Sequence, residues 1–72
     1  MPKPIKLKTI IQVLERRGFF FVSQKGSHSK FRSKGLPKKT VIVKMTNKEV
    51  PQGTFRSIVS MSGLRENDFR QK

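Results

Sequence analysis

Apolar positions along this chain change period several times, and each change falls at glycine, proline or a basic cluster. From Ile5 to Arg17 the repeat is helical: Leu7, Ile10, Ile11 and Leu14 stand at i, i+3, i+4 and i+7 and make one stripe. Arg16 and Arg17 suit the negative end of a helix, and Gly18 suits the left-handed residue that closes one. The pattern predicts a first helix over about 6–17, with Pro2 and Pro4 keeping the residues before it extended. Phe19 to Gln24 is aromatic and β-branched, which reads as a strand over 19–24 followed by a tight turn at Lys25-Gly26-Ser27. A second strand over 28–34 alternates. Phe31 turns Ser29 and Ser33 inward with it and leaves His28, Lys30 and Arg32 on the outer face. After a turn at Gly35-Leu36-Pro37, a third strand over 40–45 sends Val41, Val43 and Met45 inward and Thr40, Ile42 and Lys44 outward. Pro51 suits the first position of a second helix over about 52–62, in which Phe55, Ile58 and Val59 form the buried stripe. Gly63 ends that helix and Leu64 folds back on it. A short turn over 65–69 is anchored by Phe69, and the tail Arg70-Gln71-Lys72 is expected to fray.

The expected order is therefore α-β-β-β-α, an α+β domain with a three-stranded antiparallel meander, both helices on one face and the other face open to solvent. That is the topology of double-stranded-RNA-binding-like domains, and it favours RNA only by analogy. Seventy-two residues make one domain, spanning 1–72. A chain of this size buries only about 60% of its extended surface, so its core is thin. A two-domain enzyme and a dinucleotide-binding fold are excluded on length. Phe19, Phe20 and Phe21 are consecutive, so a regular strand must turn at least one outward. Because a thin core needs aromatic area, Phe20 is expected in the core or at an interface, ahead of stacking on a base. Met45 and Met61 read as gap fillers.

Charge changes the picture more than composition does. Seventeen Lys and Arg against four Asp and Glu leave a net +13. Between Arg16 and Lys48 there are ten basic residues and no acidic one; Glu15, Glu49, Glu66 and Asp68 all lie outside. Such a field favours a polyanion, nucleic acid first, although an anionic membrane surface or an acidic protein also satisfies it. With no cysteine there is no disulfide or thiolate zinc site, and one histidine with scattered acids makes no metal cage, so neither metal nor cofactor is expected. No apolar run is long enough to span a membrane, and the first residues lack the unbroken apolar core of a secretion signal. The expectation is a cytoplasmic protein, monomeric when free.

The candidate chemistry lies in Lys25-Gly26-Ser27-His28-Ser29-Lys30-Phe31-Arg32. His28 is the side chain whose ordinary titration lies near neutrality, as a general acid/base for a ribose 2′-hydroxyl requires. Gly26 permits close backbone approach, and Ser27 can donate to a phosphate oxygen. Lys30 and Arg32 share the strand face with His28, and Lys44 faces outward from the next strand, so that all three can meet phosphate charge. The implied reaction is metal-independent transfer of a phosphodiester to the 2′-oxygen. The blander reading of the same residues is a basic face that binds RNA without cutting it.

These residues carry a resemblance to the HicA (YcfA-like) toxin family, small messenger-RNA interferases of type II toxin–antitoxin systems. One matching segment is Leu14-Glu15-Arg16-Arg17-Gly18-Phe19 leading to Lys25-Gly26-Ser27-His28. The other is Asn47 to Ile58, containing Gly53-Thr54-Phe55-Arg56-Ser57-Ile58, followed by Ser62-Gly63-Leu64 and Asp68-Phe69. The resemblance implies a double-stranded-RNA-binding-like fold, a catalytic histidine at His28, and a cognate HicB-type antitoxin that covers the site. Met45 stands where many members carry a second histidine, so a one-histidine site is implied. Three functions remain open at this point: a ribonuclease toxin, a non-catalytic RNA-binding module of the same fold, and a protein-interaction module whose charge serves an acidic partner.

Overall fold

The computed structural model describes residues 4–46 and 48–70. In chain order the elements are β1 (Ile5–Lys6), α1 (Leu7–Arg16), β2 (Phe19–Lys25), β3 (His28–Ser33), β4 (Thr40–Lys44), β5 (Glu49–Val50), α2 (Gln52–Ser62) and α3 (Glu66–Arg70). Strands β2, β3 and β4 form an antiparallel sheet in that order, with β3 central. Both long helices cover one face: α1 packs on β2 and α2 on β4. The fold is α+β, with the α-β-β-β-α order embedded in it.

The core follows from the alternation of β3 and β4. Phe31, Val41 and Val43 point into it and meet Ile10, Val13 and Leu14 of α1 and Phe55 and Ile58 of α2. The buried stripe of α1 is rotated from the expected one: Val13 is buried, whereas Leu7 and Ile11 are only partly covered. Met61 is an exposed residue and not a gap filler, because it lies beside the buried line of Phe55, Ile58 and Ser62. Met45 does pack against the core. Phe20 is not in the core; it is 41% exposed on the open face.

Two short strands were not legible in the pattern. Ile5 and Lys6, the second of them expected to begin the first helix, pair instead with Val50 and Glu49. The Leu7 N–H donates to the Lys48 carbonyl at 2.8 Å, so the entry to α1 is held by backbone bonds from the segment before α2. Pro51 stands one position earlier than expected, as the extended N-cap of α2. The remaining boundaries differ by a residue: β2 runs on through Lys25, β3 stops at Ser33 and β4 at Lys44. Pro2, Gln71 and Lys72 lie outside the described residues.

Gly63 closes α2 at φ 72°, and the Lys39 ammonium lies against it at the negative end of that helix. Arg70 belongs to α3 and not to a frayed tail. It ion-pairs with Glu66 at 3.3 Å and lies 5.1 Å over the Phe55 ring, which meets Phe69 edge to face at 5.5 Å. Arg17 at the end of α1 donates to Asp68 at 2.9 Å. Thus α3 ties the two long helices together.

Two stability outcomes are expected. The Ser29 hydroxyl is buried without a hydrogen-bond partner, whereas the buried Ser62 hydroxyl donates to Val59 and accepts from Leu64. Ser29→Ala removes an unsatisfied polar atom, so it should leave stability equal or raise it by up to about 1 kcal/mol in urea unfolding. A loss of that size would mean the hydroxyl is bonded in solution. The second outcome concerns pH. A hydrogen bond from Gln52, with Arg70 beside it, holds the Glu66 carboxyl below the usual carboxylate value. A lowered folded value stabilises the fold above the unfolded titration, and that contribution is lost as pH falls through the folded value. Glu66→Gln should therefore melt below the native chain at neutral pH, with the gap closing in strong acid; a gap independent of pH would contradict the assignment.

Candidate functional site

The register of the sheet sorts the open face into rows. Lys25, His28 and Lys44 are cross-strand neighbours; so are Ser23, Lys30 and Ile42, and so are Phe20, Arg32 and Thr40. Directly opposed residues bring their Cβ atoms to about 4.5–5.5 Å. His28 is therefore flanked by one lysine on each side, and all three are exposed. Lys30 and Arg32 follow on the same face at about 7 and 13 Å along β3, and both are half-buried.

The presence of Lys25 in this group depends on an irregularity in β2. Counted by alternation from the buried Phe19, Lys25 would fall with Phe21 on the helix side. The register shifts between Phe21 and Ser23, so Val22 is an extra residue and the parity of the strand reverses beyond it. Ser23 and Lys25 consequently face outward beside Lys30 and His28. The only trace of this in the sequence is that Phe19-Phe20-Phe21-Val22 is too uniformly apolar to alternate.

The turn that carries His28 is a two-residue hairpin loop, Gly26-Ser27, between the paired Lys25 and His28. Gly26 has φ 59° and among the described residues no non-glycine residue has positive φ, which fits a II′-type turn with glycine in its first central position. Glycine is needed there for its backbone angle, since a Cβ would meet nothing within 4 Å. The Gln24 side chain donates to the Gly26 carbonyl at 3.0 Å, and the Met45 N–H donates to the Ser27 carbonyl at 2.6 Å. The turn is thus held from β2 on one side and from the end of β4 on the other. Lys25, Gly26, Ser27, His28 and Lys44 converge at one end of the sheet, with Lys30 and Arg32 leading away from it.

The face keeps its charge. The ion pairs among the described residues join Arg17 to Asp68 and Arg70 to Glu66, around α3, and none involves Lys25, Lys30, Arg32 or Lys44. A small cleft of about 100 Å³ opens beside Lys44, bounded by Thr46, Glu49, Val50, Pro51 and Thr54. A broad groove lies elsewhere, along Leu7, Ile11 and Gln12 of α1, and includes none of the candidate residues. Among the described residues no set of three His, Cys, Asp or Glu is grouped to hold a metal ion, and no helix is long and apolar enough to cross a membrane.

An exposed histidine thus stands between two lysines, at a hairpin beginning the central strand of the sheet. The family model for the HicA toxin of bacterial toxin–antitoxin systems matches residues 7–66 of the 72. The chain belongs to the HicA toxin family. No curated protein matches it. Membership makes this HicA-family chain a toxin of a toxin–antitoxin system and implies an antitoxin partner. The matched span contains every candidate site residue.

Two glycine substitutions separate backbone need from mere smallness. Gly26→Ala forces a side chain into the left-handed region and is expected to cost about 1–2 kcal/mol. Gly53, in the first turn of α2 with open space around it, should gain about 0.4–1 kcal/mol as Gly53→Ala. Denaturant midpoints measure both; a neutral Gly26→Ala would show that the turn is not held as described.

Proposed function

We propose that this HicA-family toxin is a metal-independent endoribonuclease of messenger RNA, with His28 as its general acid/base. The observation that carries the reading is the row Lys25–His28–Lys44 on an open face of β2, β3 and β4, strands that contain no Asp or Glu. In this mechanism the His28 imidazole takes the proton of a ribose 2′-hydroxyl as the 2′-oxygen attacks the adjacent phosphorus. Lys25 and Lys44, with Ser27 in the turn, hold the non-bridging oxygens as their charge grows. The bond to the 5′-oxygen breaks, that oxygen takes up a proton, and the products are a 2′,3′-cyclic phosphate and a 5′-hydroxyl. The proton reaches the leaving oxygen from water, a lysine or the protonated imidazole. Lys30 and Arg32 bind phosphates further along the strand.

The toxin acts in the cytoplasm as a monomer, without a cofactor, and is neutralised by a HicB-type antitoxin seated on the same face. An acidic antitoxin surface would associate with this field rapidly and in a salt-dependent manner. One observation favours the second reading, a non-catalytic RNA-binding module: β2, β3 and β4 offer a single imidazole and no carboxylate to share the acid and base roles.

The deciding comparison is the native chain against His28→Ala on a long single-stranded RNA in EDTA, with both shown to be folded. Cleavage by the native chain alone is the expected result, with RNA affinity retained by the variant. Cleavage that stops on chelation overturns the mechanism, and binding without cleavage by either supports the module. Salt titration tests the face independently. Lys25→Ala, Lys30→Ala and Lys44→Ala should each reduce the slope of log affinity against log salt by about 0.7. Lys8→Ala, on the exposed side of α1, should leave that slope unchanged.

A further inference from the structure

We propose that Phe20 and Arg32 form a nucleobase-stacking subsite, which fixes which phosphate of a single-stranded RNA lies at His28. The proposal rests on the nucleic-acid reading of this face and deepens it. Four of the six phenylalanines, Phe19, Phe31, Phe55 and Phe69, are buried. Phe21 is 54% exposed, but its register places it on the helix side, where it meets Phe31 edge to face at 5.9 Å. Phe20 alone lies on the open face, 41% exposed and without an aromatic partner among the described residues. On the open face, this is aromatic area that the core does not use.

Its cross-strand neighbour is Arg32. Seven basic residues lie between Lys25 and Lys44, and Arg32 is the one arginine among them. Lysine serves phosphate as a point charge, whereas the planar guanidinium stacks on or forks to a base. The single guanidinium of this stretch thus stands opposite the single exposed ring of the face. Between that row and His28 lies Ile42, half-buried beside Lys30, an apolar floor with a cation next to it. The two ends are about 13 Å apart, at most roughly four nucleotides at the stacked rise of about 3.4 Å and fewer in an extended strand. A base held at Phe20 therefore sets the phosphate presented to the hairpin.

The probe is a mixed-sequence RNA octamer, fully 2′-O-methylated so that it cannot be cleaved by 2′-oxygen attack, titrated into the whole chain at fixed salt. Phe20→Ala should bind it about 5- to 100-fold more weakly, with an unchanged salt slope because no charge is lost. Phe20→Trp should bind as well as the native chain, and Phe20→Leu should bind as weakly as alanine, because bulk without a ring cannot stack. A series of octamers with one abasic nucleotide each should contain a position that costs the native chain the same factor and costs Phe20→Ala nothing. Equal binding by Phe20→Ala, or equal loss at every abasic position, overturns the subsite. So does a Phe20→Ala chain that binds RNA normally but loses an acidic antitoxin, which would make this surface a protein interface. Circular dichroism checks that each variant is folded. The readout needs no catalysis: an inactive native chain would defeat the ribonuclease reading and leave this one standing.

Discussion

The alternation of β3 between a covered and an uncovered face is the constraint from which the rest of this structure follows. It is the one strand of the main sheet bonded on both edges. Its inward residues, Ser29 and Phe31, lie under the helices, and among the described residues no layer covers the other side. A slip of one residue would drive Lys30 and Arg32 among Val41, Val43 and Phe55. Burying a cation there without a partner costs far more than any core contact returns. The force that assembles the core is therefore the force that holds His28, Lys30 and Arg32 on one open surface.

The acidic residues are placed to the same effect. Glu66 and Asp68 engage Arg70 and Arg17 around α3, where they stabilise the docking of a five-residue helix too short to stand alone. Exposed pairs of this kind are individually weak. Their larger consequence is that the sheet face is left without neutralising partners. Lys25 and Lys44 on either side of His28 repel each other, and that repulsion is relieved when a phosphate sits between them. In the proposed function, the fold and the toxin role meet in this one row of side chains.

Much of this was legible along the chain, for an identifiable reason. Helix and strand periods are relations between residues two to four apart, so the chain itself carries them. The strand pattern around Phe31 placed His28, Lys30 and Arg32 outward, and that around Val41 and Val43 placed Lys44 outward. Gly18 and Gly63 marked helix ends because each takes a positive φ. The HicA motifs spanned both halves of the chain, and the family match over 7–66 spans them too.

What the chain did not carry were relations between distant segments. The pairing of Ile5 with Val50, the burial of Val13 and the exposure of Met61 depend on which element comes to lie against which. The row Lys25–His28–Lys44 depends on a bulge at Val22 that only the register with β3 defines. Phe20 and Arg32 became neighbours the same way. The sequence by itself determined the elements, the inward and outward sides of β3 and β4, and the basic character of the open face. Only the tertiary structure decided which cations flank the histidine, because cross-strand register is set by packing the whole sheet against its helices and not by any local period.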